Sequence, residues 1–206
     1  MDRPVLPLLG SPRAARADAV RNRRQLLATA REMLAEQGVA RLTMDALAER
    51  AGLGKGTVYR RFGTRAGIFQ ALIEDDEHAF QERVLSGPPP LGPGAPALDR
   101  LIAYGRARAA FLIEHREIVR AAIDGRRPVP AGTEMRLSQM HIRMLLTQIP
   151  LDGADLDILA VQLTAALEAP LLLYLSAADF TDDALHTQER TARGWQDLVQ
   201  RVCRRP

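Results

Sequence analysis

The run GLGKGTVYRRF, residues 52–62, gathers side chains that suit one chemistry. Lys55, Arg60 and Arg61 are cationic, and Thr57 and Tyr59 carry hydroxyls that can donate to phosphate oxygens. Gly56 lets the backbone come close to a duplex, where a helix N-terminus favours an anion. Arg41 and Arg65 flank the run as further phosphate contacts, and Thr43 precedes it with another hydroxyl. The chemistry expected is recognition of a nucleic-acid backbone and its base edges.

Two short helices must position that face, and residues 42–62 supply them. Thr43 stands just before an apolar-periodic run, where its oxygen can cap an orphan N–H. Met44, Leu47 and Ala48 give the first helix one buried side. Gly52 ends it, because a left-handed turn suits a residue without Cβ, and Leu53 plugs the turn. The second helix spans about 55–61 with Val58 inward. The order of small Ala48, Gly52 and β-branched Val58 is that of a helix-turn-helix, whose second helix enters the major groove. Such a unit can also be scaffold or bind protein, and here charge points to DNA. Through Arg65 the chain has 13 Lys+Arg against 6 Asp+Glu, whereas the remainder has 15 against 19. A basic N-terminal third on an acidic body is the footprint of a nucleic-acid-binding module.

GLGKGTVYRRF resembles the recognition segment of TetR-family transcriptional repressors. Its setting does too: a preceding helix ending AEQG, then Leu42-Thr43, then Thr64-Arg65-Ala66-Gly67-Ile68-Phe69. The resemblance covers residues 21–72. It departs at Gly54, where the family often has a capping Ser or Thr. It departs again at Arg60-Arg61, where an aromatic or His pair is frequent, so base preference does not carry over. The resemblance implies a palindromic double-stranded DNA operator, and a second domain in which about five helices enclose a ligand pocket. It further implies that the last two long helices form a homodimer interface, and that a small-molecule effector releases a repressor.

With 206 residues, 47% hydrophobic and only 4% aromatic, the core must be built from Leu and Ala, which favours an all-α protein. The division expected is a disordered basic arm at 1–19, a helix-turn-helix domain at 20–66, and a ligand-binding and dimerisation domain at 67–206. The sole cysteine, Cys203, forms no internal disulfide, which fits a reducing cytoplasm. No signal peptide is evident, and the most apolar run, 163–175, is too short to span a membrane and holds Glu168. Against an enzyme, His78, His115, His141 and His186 are scattered, and HExxH, GxSxG and P-loop patterns are missing. Glu74 and His78 are spaced four apart on a helix, yet no second ligand pair accompanies them, so no metal and no cofactor is expected.

Helices are expected at about 20–37, 65–85, 97–114, 117–123, 134–149, 154–175 and 181–202. Thr64 and Thr181 serve as caps, and Pro170 kinks the sixth of these. Residues 86–96, SGPPPLGPGAP, read as the clearest linker. Phe80, Tyr104, Phe111, Met135, Met140, Met144 and Tyr174 are candidates to line an apolar cavity, with Gln148 and Glu168 as its polar groups. Each is equally at home as ordinary core. Glu168 stands in an apolar helix, so a buried partner is expected for it: an Arg, a proton or a cationic ligand. Leu171, Leu175, Trp195 and Leu198 are the candidates for the dimer interface, with intramolecular packing as the alternative. An effector-independent DNA-binding dimer controlled by a protein partner would have much the same sequence.

Overall fold

The computed structural model describes residues 12–123, 133–176 and 188–204, with side chains from residue 18 on and, after the first gap, from residue 135. It is all-α: eight α-helices and no strand occur among the described residues. They fall into two compact units, Met1–Leu72 and Ile73–Pro206.

The first unit holds α1 (Pro12–Gln37), α2 (Met44–Arg50), α3 (Lys55–Phe62) and the start of α4 (Arg65–Ser86). Leu26, Leu27, Ala30 and Met33 recur on one side of α1 and are buried, as are Leu47, Val58, Ile68 and Phe69. Burying each large side chain of this set is worth about 1.5–3 kcal/mol. Gly38 ends α1 at φ 75°, and a short 3₁₀ turn at Val39–Arg41, which the sequence did not suggest, leads to α2. The Thr43 hydroxyl accepts from the Ala46 N–H at 3.1 Å, and Gly52 takes φ 64° at the turn. Thr64 caps α4 by accepting from the Gly67 N–H at 3.1 Å. Glu36 and Arg50 pair at 2.5 Å and tie the end of α2 to α1.

One correction concerns the arm. α1 begins at Pro12, so residues 12–19 are helical where disorder was expected. Proline suits a first turn, since its missing N–H is one of the orphans there. Residues 1–11 of the expected arm lie outside the described residues.

The second unit is built from the rest of α4, α5 (Ala97–Ala122), α6 (Thr133–Leu146), α7 (Leu156–Ser176) and α8 (Gln188–Val202). Its core joins Phe80 and Val84 of α4 to Leu101 and Tyr104 of α5, Ile142 of α6, Leu163 of α7 and Val199 of α8. The helices expected at 97–114 and 117–123 are one. Leu101, Tyr104, Arg108, Leu112 and His115 keep the buried period through the supposed gap, and no Gly or Pro stands at 115–116. Residues 86–96 link α4 to α5 within the second unit: Leu91 packs on its core, and the Gly92 N–H donates to the Pro88 carbonyl at 3.0 Å. Residues 124–132, between two of the expected helices, and the expected Thr181 cap lie outside the described residues.

α7 is the most apolar helix among the described residues. Its 21 residues, Leu156–Ser176, are long and apolar enough to cross a bilayer by length and composition, since apolar residues extend on both sides of the run at 163–175. Its buried side instead carries Leu163, Thr164, Leu167 and Glu168 into the protein core, while Ile158, Val161, Leu172 and Leu173 stay exposed. Pro170 lies inside the helix and leaves the Ala166 carbonyl without its intrahelical donor.

Candidate nucleic-acid interface

α3 is held down by Val58, which is fully buried, and turns nearly everything else outward. Lys55, Gly56, Tyr59, Arg60 and Arg61 are exposed, and Thr57 is half-buried. Gly54 precedes the helix in extended conformation with no side-chain cap, as its lack of a hydroxyl dictates.

The cations on this face differ in their surroundings. Lys55 Nζ meets Asp45 Oδ2 of α2 at 2.8 Å, and that hydrogen bond raises the ammonium pKa. Arg61 Nη2 donates to the Ala19 carbonyl of α1 at 3.1 Å. Arg41 and Arg60 are exposed, with no partner among the described residues. Thr43 already spends its oxygen as a cap. Arg65 is tied to the protein itself: Nε donates to the Leu42 carbonyl and Nη2 to the Val39 carbonyl, both at 2.6 Å, with the guanidinium 5.0 Å over Phe69. It therefore closes the 3₁₀ turn, and only part of its fork remains for a phosphate. Between α1 and α3 opens a cleft of about 270 Å³ whose lining includes Asn22, Arg23, Thr57, Arg60 and Arg61. Asn22 was not singled out from sequence; its place beside the arginines of α1 was the available signal.

The ligand candidates separate. Phe80, Tyr104, Phe111 and Glu168 come together, with Phe80 6.0 Å from Tyr104 and 5.4 Å from Phe111 by ring centroids. At their centre lies Arg108, buried, donating to Glu77 at 2.7 Å and to Glu168 at 3.1 Å. The partner expected for Glu168 is thus an arginine. Burial pulls the Arg108 pKa down, but Glu168 and Glu77 outweigh it and raise it. Burial pushes the Tyr104 hydroxyl up to about 12, and that hydroxyl donates to Ser138 at 2.7 Å. Met135 is half-buried, and Tyr174 is buried apart from the cluster, its ring 3.9 Å from the Arg120 guanidinium and its hydroxyl donating to Glu117.

Met140, Met144 and Gln148 do not line an interior. Met140 is 66% and Met144 40% exposed, because α6 buries Ile142, Leu145 and Leu146 on its other side. Gln148 is exposed and donates to the Met144 carbonyl at 3.2 Å. The Glu74–His78 pair is no ligand pair: His78 Nδ1 lies 2.6 Å from the Glu74 backbone carbonyl.

Of the interface candidates, Trp195 is intramolecular core. It is 4% exposed, its Nε1 donates to the Leu101 carbonyl at 3.1 Å, and its ring covers Gly105. Leu171, Leu175 and Leu198 are half-buried. A groove of about 460 Å³ between α7 and α8, lined by Ala166, Ala169, Leu173, Gly194 and Leu198, runs along the apolar outer side of α7.

Known proteins add to this geometry. Residues 26–72 match the family described as bacterial regulatory proteins, tetR family. An HTH-type transcriptional regulator of Staphylococcus aureus is 32% identical over 65 residues, 32% of this chain and 35% of that protein. The HTH-type transcriptional regulator SrpR of Pseudomonas putida is 31% identical over 69 residues, 34% of this chain and 32% of SrpR. The match thus spans about a third of the length of these curated relatives. A TetR-family transcriptional regulator from Pectobacterium atrosepticum shares the fold, with TM-score 0.68 at 23% identity over 93% of this chain and 98% of that one. RolR, solved without ligand, has TM-score 0.56 at 20% identity over 89% and 97%. The relatives are transcriptional regulators, not enzymes. Residues 26–72 thus carry the sequence of a tetR-family regulatory module, and the described chain shares its fold with solved TetR-family regulators.

Proposed function

We propose that the chain is a sequence-specific DNA-binding repressor that works as a homodimer in the cytoplasm and is released from a palindromic operator by a small-molecule effector. The observation that supports this best is the outward face of α3, where Tyr59, Arg60 and Arg61 stand exposed on a helix anchored by buried Val58. One such helix reads only a few base pairs. Two-fold pairing doubles the contact, with half-sites about 34–36 Å apart. The exposed apolar side of α7 supports pairing, since Ile158, Val161, Leu172 and Leu173 form a surface that a second copy would dry. Release then follows as a population shift: an effector bound in the body favours a placement of α4 in which both recognition helices cannot dock together.

The test is gel-shift binding to DNA flanking the protein's own gene, with a salt titration. A regulator of this kind binds one palindromic site tightly, with steep salt dependence, and the Arg60→Ala, Arg61→Ala variant loses that complex. Weak binding that is alike on every fragment, in both proteins, would refute the reading.

A further inference from the structure

The charged cluster inside the second unit is unusual for its position as much as for its burial. Arg108 of α5 has a side chain only 3% exposed, and Glu77 and Glu168 are each 8% exposed. Glu77 lies on α4 and Glu168 on α7, so a single guanidinium joins three helices. The residue before Glu77 is fastened as well: Asp76 Oδ2 lies 3.1 Å from His115 Nε2. Arg108 and His115 are two turns apart on one face of α5 and grip neighbouring carboxylates of α4.

Stability alone is a poor account of this arrangement. Apolar residues of similar volume in place of a buried ion cluster are often neutral or stabilising. What apolar packing does not provide is register. Phe80, Val84 and Leu101 pack through non-directional contacts, whereas a planar fork with two fixed acceptors allows one placement. That placement concerns α4, a single helix whose residues 65–72 belong to the helix-turn-helix unit and whose residues 73–86 belong to the body. A helix held in one register presents its far end in fewer orientations, which lowers the ordering cost of docking.

We propose that Arg108 is a positioning residue for operator binding: through Glu77 it fixes the register of α4, with Glu168 holding the guanidinium in line. This rests on the reading of the chain as a DNA-binding regulator.

The experiment uses the full chain in five forms: wild type, Arg108→Met, Arg108→Lys, the charge-free triple variant Glu77→Gln, Arg108→Met, Glu168→Gln, and Val199→Ala. The last is a destabilised core control in α8, outside the ion cluster. Two quantities are read: amide-exchange protection of residues 73–86 relative to 101–112, and affinity for an operator fragment. Arg108→Met and the triple variant should each lose about tenfold in both. Arg108→Lys should recover part, since an ammonium keeps the charge but not the fork. Val199→Ala should melt earlier yet leave both quantities unchanged. The proposal is overturned if the triple variant keeps wild-type protection and affinity, or if Val199→Ala loses as much. Exchange is read without DNA. A wild type that binds no operator would therefore sink the regulator reading, while the protection of 73–86 would still decide the clamp.

Discussion

Lys55 and Arg60 both project from the outer side of α3, but their surroundings give them unequal tasks. Lys55 shares its charge with Asp45 at 2.8 Å, while Arg60 is exposed beside the cleft between α1 and α3. Arg60→Ala should cost about 1–3 kcal/mol of operator affinity if the fork reads a base, or reduce the salt slope by about one if it meets a phosphate. Lys55→Ala should cost less than Arg60→Ala, because the ammonium must first leave Asp45. Anisotropy titrations at several salt concentrations would rank the two, and the opposite order would refute this division. Thr43→Ala removes the cap that accepts from Ala46 and should destabilise the first unit by about 1 kcal/mol. Thermal unfolding measures that loss. The histidines give opposite pH trends. For His115 burial acts against protonation, but Asp76 and the Phe111 carbonyl outweigh it and raise the pKa. Its contribution is therefore full below the unfolded value of about 6.5 and fades as pH rises through the higher folded value. His141 is pushed down to about 4 by burial first and by Arg100 second. Its unfolded form binds the extra proton, so stability falls as pH drops from about 6.5 towards 4. Urea unfolding from about pH 4 up to alkaline pH should show His141→Phe removing the acid-side loss and His115→Gln removing the loss on the side above about 6.5. Profiles parallel to wild type would contradict both assignments.

At the scale of the helix, contact geometry sets what each element tolerates. A Cβ on Gly105 would sit 1.9 Å from the Trp195 ring, where α5 and α8 pack. Gly105→Ala gains helix propensity yet should destabilise by about 1–3 kcal/mol through overpacking. Calorimetry that found the variant equal to wild type would contradict the close packing. The helices of the first unit were legible because each has local punctuation: Thr43, Gly52 and Thr64 act within a few residues of themselves. In the second unit such marks are sparse. The gap placed at 115–116 is absent because the buried ladder of α5 passes through His115, and a histidine carries no structural signal of its own. Arg108 stands on that same ladder, where a charged residue among Leu101, Tyr104 and Leu112 was a mark of a buried partner, while Glu77 occupies the matching place on α4. Interface and core both stay open for Trp195 in the sequence because an amphipathic aromatic suits either setting, and only the facing Gly105 decides. Met140 and Met144 are candidates for a cavity or the core because methionine is adaptable, but helical phase puts them opposite Ile142 and Leu145.

For the whole molecule the open surface is the outer side of α7 with the groove it shares with α8. If a second copy covers it, Leu173→Glu should yield monomers by sedimentation velocity and weaken binding to a palindrome far more than to a single half-site. A wild type that sediments as a monomer at micromolar concentration would contradict the pairing. The central claim is that a pair of α3 helices reads DNA, and the most direct measurement is selection of binding sequences from a random duplex pool by the full chain. Two inverted half-sites about 10–11 base pairs apart should emerge, and Arg60→Ala should lose or relax the enriched positions. A pool that shows no enriched sequence, or a single unpaired half-site, would contradict it.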